Sequence, residues 1–230
     1  MKNLLILIRG VENENRAAFT GRMLGNTADL FSAYEPECLK CAVTEEPPPR
    51  LSVIPFRKDL VCLVTFSGKK EPPAEILSGI PGFFGAYEAD MTLPLAYEIS
   101  WCEGEGTPGC GLLTLFRKRP DLDYDAFISR WHDGHTPLSL RIHPLWNYVR
   151  NVVTSAYVKG STWYDGIVEE HFRCGEDLLK PVRFFGGLFP MPVNMLKVLK
   201  DVRSFIDYKS IETYFIKEYH VKIGAPVKAY

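Results

Sequence analysis

Hydrophobic and polar positions along the chain follow two rhythms. Asn3–Arg9, Cys38–Thr44, Leu60–Phe66, Leu112–Arg117, Trp146–Val153, Gly166–Phe172 and Ile211–Tyr219 are short apolar or alternating runs rich in β-branched and aromatic residues, and predict strands. Phe83–Ser100 adds strand material interrupted at Pro94. Between the strands the spacing turns helical. Asn13 or Asn15 can cap a helix reaching about Tyr34 on Ala17, Phe19, Met23 and Leu24, and Pro72-Pro73 precede a short helix at Ala74–Leu77. Glu176–Phe185 and Met195–Phe205 are further helical pieces, separated by Gly186-Gly187 and Pro190–Pro192. Glu45–Arg50, with three prolines, is a connector.

The longest helical signal is Tyr124–Ile142, with Asp123 as its cap and Asp125 in its first turn. At 100° per residue, Tyr124, Phe127, Ile128, Trp131, Leu138 and Ile142 fall on one stripe facing a core. His135 falls near the middle of that stripe and His132 on its flank. A histidine inside an apolar stripe is a local conflict, and such conflicts tend to mark functional sites. Pro137 cannot donate to the Asp133 carbonyl, so the helix is expected to be open beside His135.

Glycine-rich Trp101–Gly111 separates two passages of the same element order, β-α-β-β-α-β, at a spacing of about 108 residues from Leu5 to Leu113. The expected fold class is α+β: two ferredoxin-like halves, residues 1–104 and 105–230, each with helices on one face of an antiparallel sheet, burying their other faces against each other.

Composition narrows the classes. The 230 residues are 46% hydrophobic and 24% charged with a formal net charge of -1, ordinary for a globular chain. Without a basic run, neither a nucleic-acid nor a membrane partner is expected. Leu4–Ile8 is too short for a signal core or a membrane span, so a cytoplasmic protein with six reduced cysteines is expected. Cys38 and Cys41 form one CxxC without the ligands that would complete a zinc set, and no dinucleotide or P-loop motif is present. No metal and no cofactor are expected.

Residues about 109–222 resemble the EthD family of the dimeric α+β barrel superfamily. The matching segments are FRKRPDLDYDAFISRWHDGHTPL, NYVRNVV, YDGIVEEHF and FIDYKSIETYFIKEYHV, in that order. The resemblance implies two halves closing a barrel within one chain, with a pocket between helix and sheet of the second half. It also implies cofactor-independent chemistry on hydrophobic, often aromatic substrates. His135 matches the histidine of the family's H-x-P-L pattern, and Glu169 an acidic position.

The candidate catalytic residues are His135, His132, Glu169 and His171. A histidine gives and takes protons near neutrality. Alternation puts Ile167, Glu169 and His171 on one strand face and Gly166, Val168, Glu170 and Phe172 on the other. A buried His135 needs a partner, and Glu169 is the expected one. Candidate substrate-binding residues are Tyr148, Arg150, Asn151, Trp131 and Trp146, with Phe184 and Phe185 as further wall candidates. Tyr148 and Arg150 share a face, suiting an oxyanion donor and a carboxylate clamp; Asn151 lies opposite. The expected function is a cofactor-independent lyase, a decarboxylase or dehydratase of a small aromatic or polyketide-like acid. Alternatives are a cyclase or isomerase, a non-catalytic ligand-binding protein, and a haem-binding barrel. A homodimer is one assembly open to it.

Overall fold

The computed structural model describes residues 2–49 and 52–224. Its elements run β1 (Lys2–Arg9), α1 (Arg16–Arg22), α2 (Ala28–Ser32), β2 (Cys38–Val43), β3 (Val61–Ser67), α3 (Ala74–Ser78), β4 (Phe83–Leu95) and β5 (Cys110–Phe116). They continue through α4 (Tyr124–Ser129), α5 (Thr136–Ile142), β6 (Asn147–Ala156), β7 (Gly166–Phe172), α6 (Gly175–Leu179), α7 (Pro181–Phe184), α8 (Met191–Phe205) and β8 (Glu212–Lys222). The connector predicted at Glu45–Arg50 is irregular through Pro49, and its last residue lies outside the described residues.

The eight strands close into one antiparallel barrel in the order β1-β3-β2-β8-β5-β7-β6-β4. β1–β4 occupy one arc and β5–β8 the other, joined where β2 pairs β8 and β4 pairs β6. Closure leaves no unpaired sheet edge and splits each strand's side chains between a lumen and an outer, helix-covered face. Leu5, Leu7, Ala42, Leu63, Tyr87, Leu113, Ile167, Tyr214 and Ile216 fill the lumen. Outside, Phe19, Met23 and Phe31 of the first helical stretch pack on β1–β3. Phe127, Trp131 and Phe205 pack on β5–β7.

Sequence and structure differ in informative places. β4 runs straight through Pro94, which sits where the register with β6 shifts between Thr92 and Leu95; a bulge tolerates the missing N–H. The predicted Glu176–Phe185 helix breaks at Lys180-Pro181 into α6 and α7, and α8 begins four residues before the predicted Met195. Trp101–Gly111, read as a linker, is no free tether. Gly104 N and Thr107 N bond to the carbonyls of His220 and Glu218, laying the segment against β8.

The organising helix also departs from its ideal wheel. Between α4 and α5 lies a π-helical turn, Arg130–His135, directly before Thr136-Pro137. The extra residue in that turn rotates everything after it. Thr136, Ser139 and Ile142 are therefore the buried positions of α5, while His135 and Leu138 are only half-buried and Tyr124 is exposed.

Candidate functional site

The sheet separates the predicted site residues into two groups. On the helix side stand His132, His135, Trp131, Tyr148 and Arg150. His135 Nδ1 donates to Asp201 Oδ2 of α8 at 2.6 Å, leaving Nε2 to Ser139 Oγ at 3.1 Å. The expected pairing with Glu169 is not made: Glu169 points into the lumen, on the opposite side of β7. Arg150 Nη1 donates to Thr136 Oγ1 at 2.7 Å and Nε to Thr92 Oγ1 at 3.1 Å, tying sheet to helix. His132, whose Nε2 is buried without a partner, is held down to about 4 by burial and by the Arg150 charge. Glu170, beside Tyr148 across the β6–β7 ladder, is raised to about 7 by burial. Trp131 is buried edge-on to Phe116, and Phe184 and Phe185 enclose His143; these are core contacts.

On the lumen side Glu169 and His171 converge with residues not singled out above, while Asn151 lies further along β6 with its Nδ2 donating to the Ile167 carbonyl at 3.1 Å. Pleating decides this: β7 turns Ile167, Glu169 and His171 inward, and β8 turns Tyr214, Ile216, Glu218 and His220 inward. The same E-x-H spacing thus occurs on two lumen-lining strands, a signal legible in EEH and EYH. Lys40 of β2 completes the set, its Nζ 2.8 Å from Glu169 Oε2 and 3.0 Å from Glu218 Oε2. His171 Nε2 is 3.3 Å from Glu218 Oε2, and His220 Nε2 is 3.0 Å from Glu218 Oε1. Gly111 faces His171 across the β5–β7 ladder, where a Cβ would come within 2.8 Å of Ile216 and 3.1 Å of the His171 ring.

The inter-half segment covers this end. Thr107 Oγ1 donates to Glu218 Oε1 at 2.9 Å, Tyr97 donates to the same oxygen, and Tyr97 Oη lies 2.9 Å from His220 Nε2. Tyr97, Trp101 and Trp146 cluster edge-on or tilted at this end, with ring centroids 5.1–5.8 Å apart. Trp146 is thus part of the cap, with the Arg173 guanidinium over its ring.

Burial sets the protonation states. It works to lower Lys40, but the Glu169 and Glu218 carboxylates outweigh it and hold the ammonium above its usual range. Burial would raise Glu218, yet His171, Lys40 and His220 together keep it well below the usual carboxylate range. Burial lowers His171 against the pull of Glu218 and Glu169, and raises Tyr97, keeping its phenol protonated. Among the described residues, Glu169 Oε1, His171 Nδ1, Asn147 Oδ1, Asn151 Oδ1 and Trp101 Nε1 are buried without hydrogen-bond partners. Native structures seldom leave such atoms unpaired, which makes this end of the barrel the candidate site. No group of three or more His, Cys, Asp or Glu among the described residues is placed to hold a metal; the Lys40 ammonium lies between the two carboxylates.

No family model and no curated protein matches the chain. Solved structures do. An anthrone oxidase-like protein aligns with a TM-score of 0.55 at 10% identity over 98% of this chain and 96% of that one. A putative monooxygenase from Fusobacterium nucleatum subsp. nucleatum aligns at 0.52 and 8% over 100% and 97%. A putative chlorite dismutase aligns at 0.42 and 13% over 96% and 94%. At 10% and 8% identity the likeness to the first two is one of fold alone and does not reach the EthD family.

Proposed function

We propose that the protein is a cofactor-independent lyase, a dehydratase or decarboxylase of small aromatic or polyketide-like acids, built as two ferredoxin-like halves in one chain. The observation that carries this reading is the convergence of both E-x-H pairs with Lys40 and Tyr97 at the capped end of the lumen. In a dehydration, neutral His171 takes a proton from carbon beside a carbonyl. Glu218, whose Oε2 lies 3.3 Å from its Nε2, stabilises the imidazolium. Tyr97 protonates the departing hydroxyl, which leaves as water, and Lys40 offsets the negative charge that develops between the two steps. Trp101 and Trp146 keep water from the enclosed groups. The enzyme-like names of the fold neighbours suit this reading without choosing the reaction.

The test is a panel of small aromatic and polyketide-like acids followed for loss of water, release of carbon dioxide and uptake of dioxygen. His171→Gln and Glu218→Gln are expected to lower kcat by about 10²–10⁴ while His135→Gln stays near wild type. Dioxygen uptake without either release would replace the lyase by an oxidase of the kind the anthrone oxidase-like neighbour's name states. Loss of turnover in folded His135→Gln alone would move the chemistry to the helix side of the sheet.

A further inference from the structure

α8 presents a solvent face that the fold leaves uncovered. Phe189 is 92% exposed, Leu196 68%, Leu188 63% and Val193 53%. Leu188 and Phe189 follow the Gly186-Gly187 turn just before the helix, and Val193 and Leu196 lie in its first half; together they form an apolar tip. The second half of the same face is basic, with Lys197, Lys200 and Arg203. Beside it runs a groove of about 520 Å³ lined by Arg119, Arg130, Lys200 and Arg203, with Leu196 and Leu199 at its apolar end. Arg119 is paired with Asp121, but Arg130, Lys200 and Arg203 carry no ion pair among the described residues. Arg130 is held in place by the Ser204 carbonyl at 2.7 Å, and Arg203 lies over the Tyr208 ring. The one acid on the inner flank of α8, Asp201, is turned away and taken by His135.

We infer that this face docks on a lipid bilayer carrying anionic headgroups, with Phe189, Leu188 and Val193 inserted and a phosphate headgroup in the Arg130–Lys200–Arg203 groove. The two halves of the face match the two layers of such a surface: a protruding apolar tip for the acyl boundary and fixed cations at headgroup depth. A second copy of the chain fits less well, since antiparallel pairing of α8 would set each apolar tip against the other's cations. The peripheral contact is independent of the lumen chemistry.

The experiment is co-sedimentation of the purified full chain with vesicles of phosphatidylcholine alone and of phosphatidylcholine mixed with phosphatidylglycerol. Binding is expected only to the mixed vesicles and is expected to weaken as salt is added. Lys200→Gln is expected to lower the partition about fivefold and Phe189→Asp about tenfold or more, with unchanged thermal midpoints because both side chains are exposed. Absence of binding at low salt, equal binding to both vesicles, or binding indifferent to Phe189→Asp overturns the inference. A concentration-dependent dimer that Phe189→Asp dissolves, without vesicle binding, overturns it in favour of self-association.

Discussion

Lys40 Nζ stands 2.8 Å from Glu169 Oε2, a contact that crosses the lumen from the first arc of strands to the second. Its other contact, Glu218, lies on β8, the strand that seams the arcs together. A single buried ammonium therefore holds two buried carboxylates and both halves of the barrel.

Lys40→Met is expected to destabilise the fold by about 3–5 kcal/mol, because it leaves Glu169 and Glu218 buried without their cation. Denaturant titration measures the loss. A variant as stable as wild type would mean that the carboxylates are not both charged in the folded chain.

His135 and Asp201 join the π-helical turn to α8, and both imidazole nitrogens are engaged. His135→Gln and Asp201→Asn are each expected to cost roughly 1–3 kcal/mol, with the double variant costing little more than either alone. Thermal melts of the three variants check this. Additive losses would show that the two side chains do not act as a pair.

Glu170 supplies a pH dependence. Its folded-state value of about 7 lies above the ordinary 4.5, so the folded chain binds that proton more tightly than the unfolded one. Its effect is least below pH 4.5, and stability falls as pH rises through 7, by roughly 3 kcal/mol at most. Glu170→Gln is expected to flatten the stability profile between these values, measured by denaturant midpoints across pH. An unchanged slope would place the titration elsewhere.

Residues 109–230 expressed alone would carry β5–β8 with the outer edges of β6 and β8 unpaired, since β4 and β2 are their partners. Such edges recruit other strands. The fragment is expected to be insoluble or a homodimer by light scattering; a stable, folded monomer would contradict the pairing as the source of its stability.

Local patterns in the sequence determined much of this molecule. Period-two alternation assigns Glu169 and His171 to one face of β7 and Glu170 to the other, because a strand's side chains alternate whatever lies around it. The two E-x-H spacings are legible in the same way, as is the irregularity beside Pro137. What lay beyond reach depends on contacts between distant residues. Lys40 looks like one charge in a short strand until closure sets it against β7 and β8. Tyr97 looks like strand material, and Trp101 and Thr107 like linker, until they are laid over the lumen. One added residue in the π-helical turn moves His135 off the stripe, an offset that a fixed 100° wheel cannot register. The chain has no basic run, yet folding gathers Arg119, Arg130, Lys200 and Arg203 around one groove from stretches up to 84 residues apart. Alternation is set by the backbone of each strand; the company each side chain keeps is set by how the barrel closes.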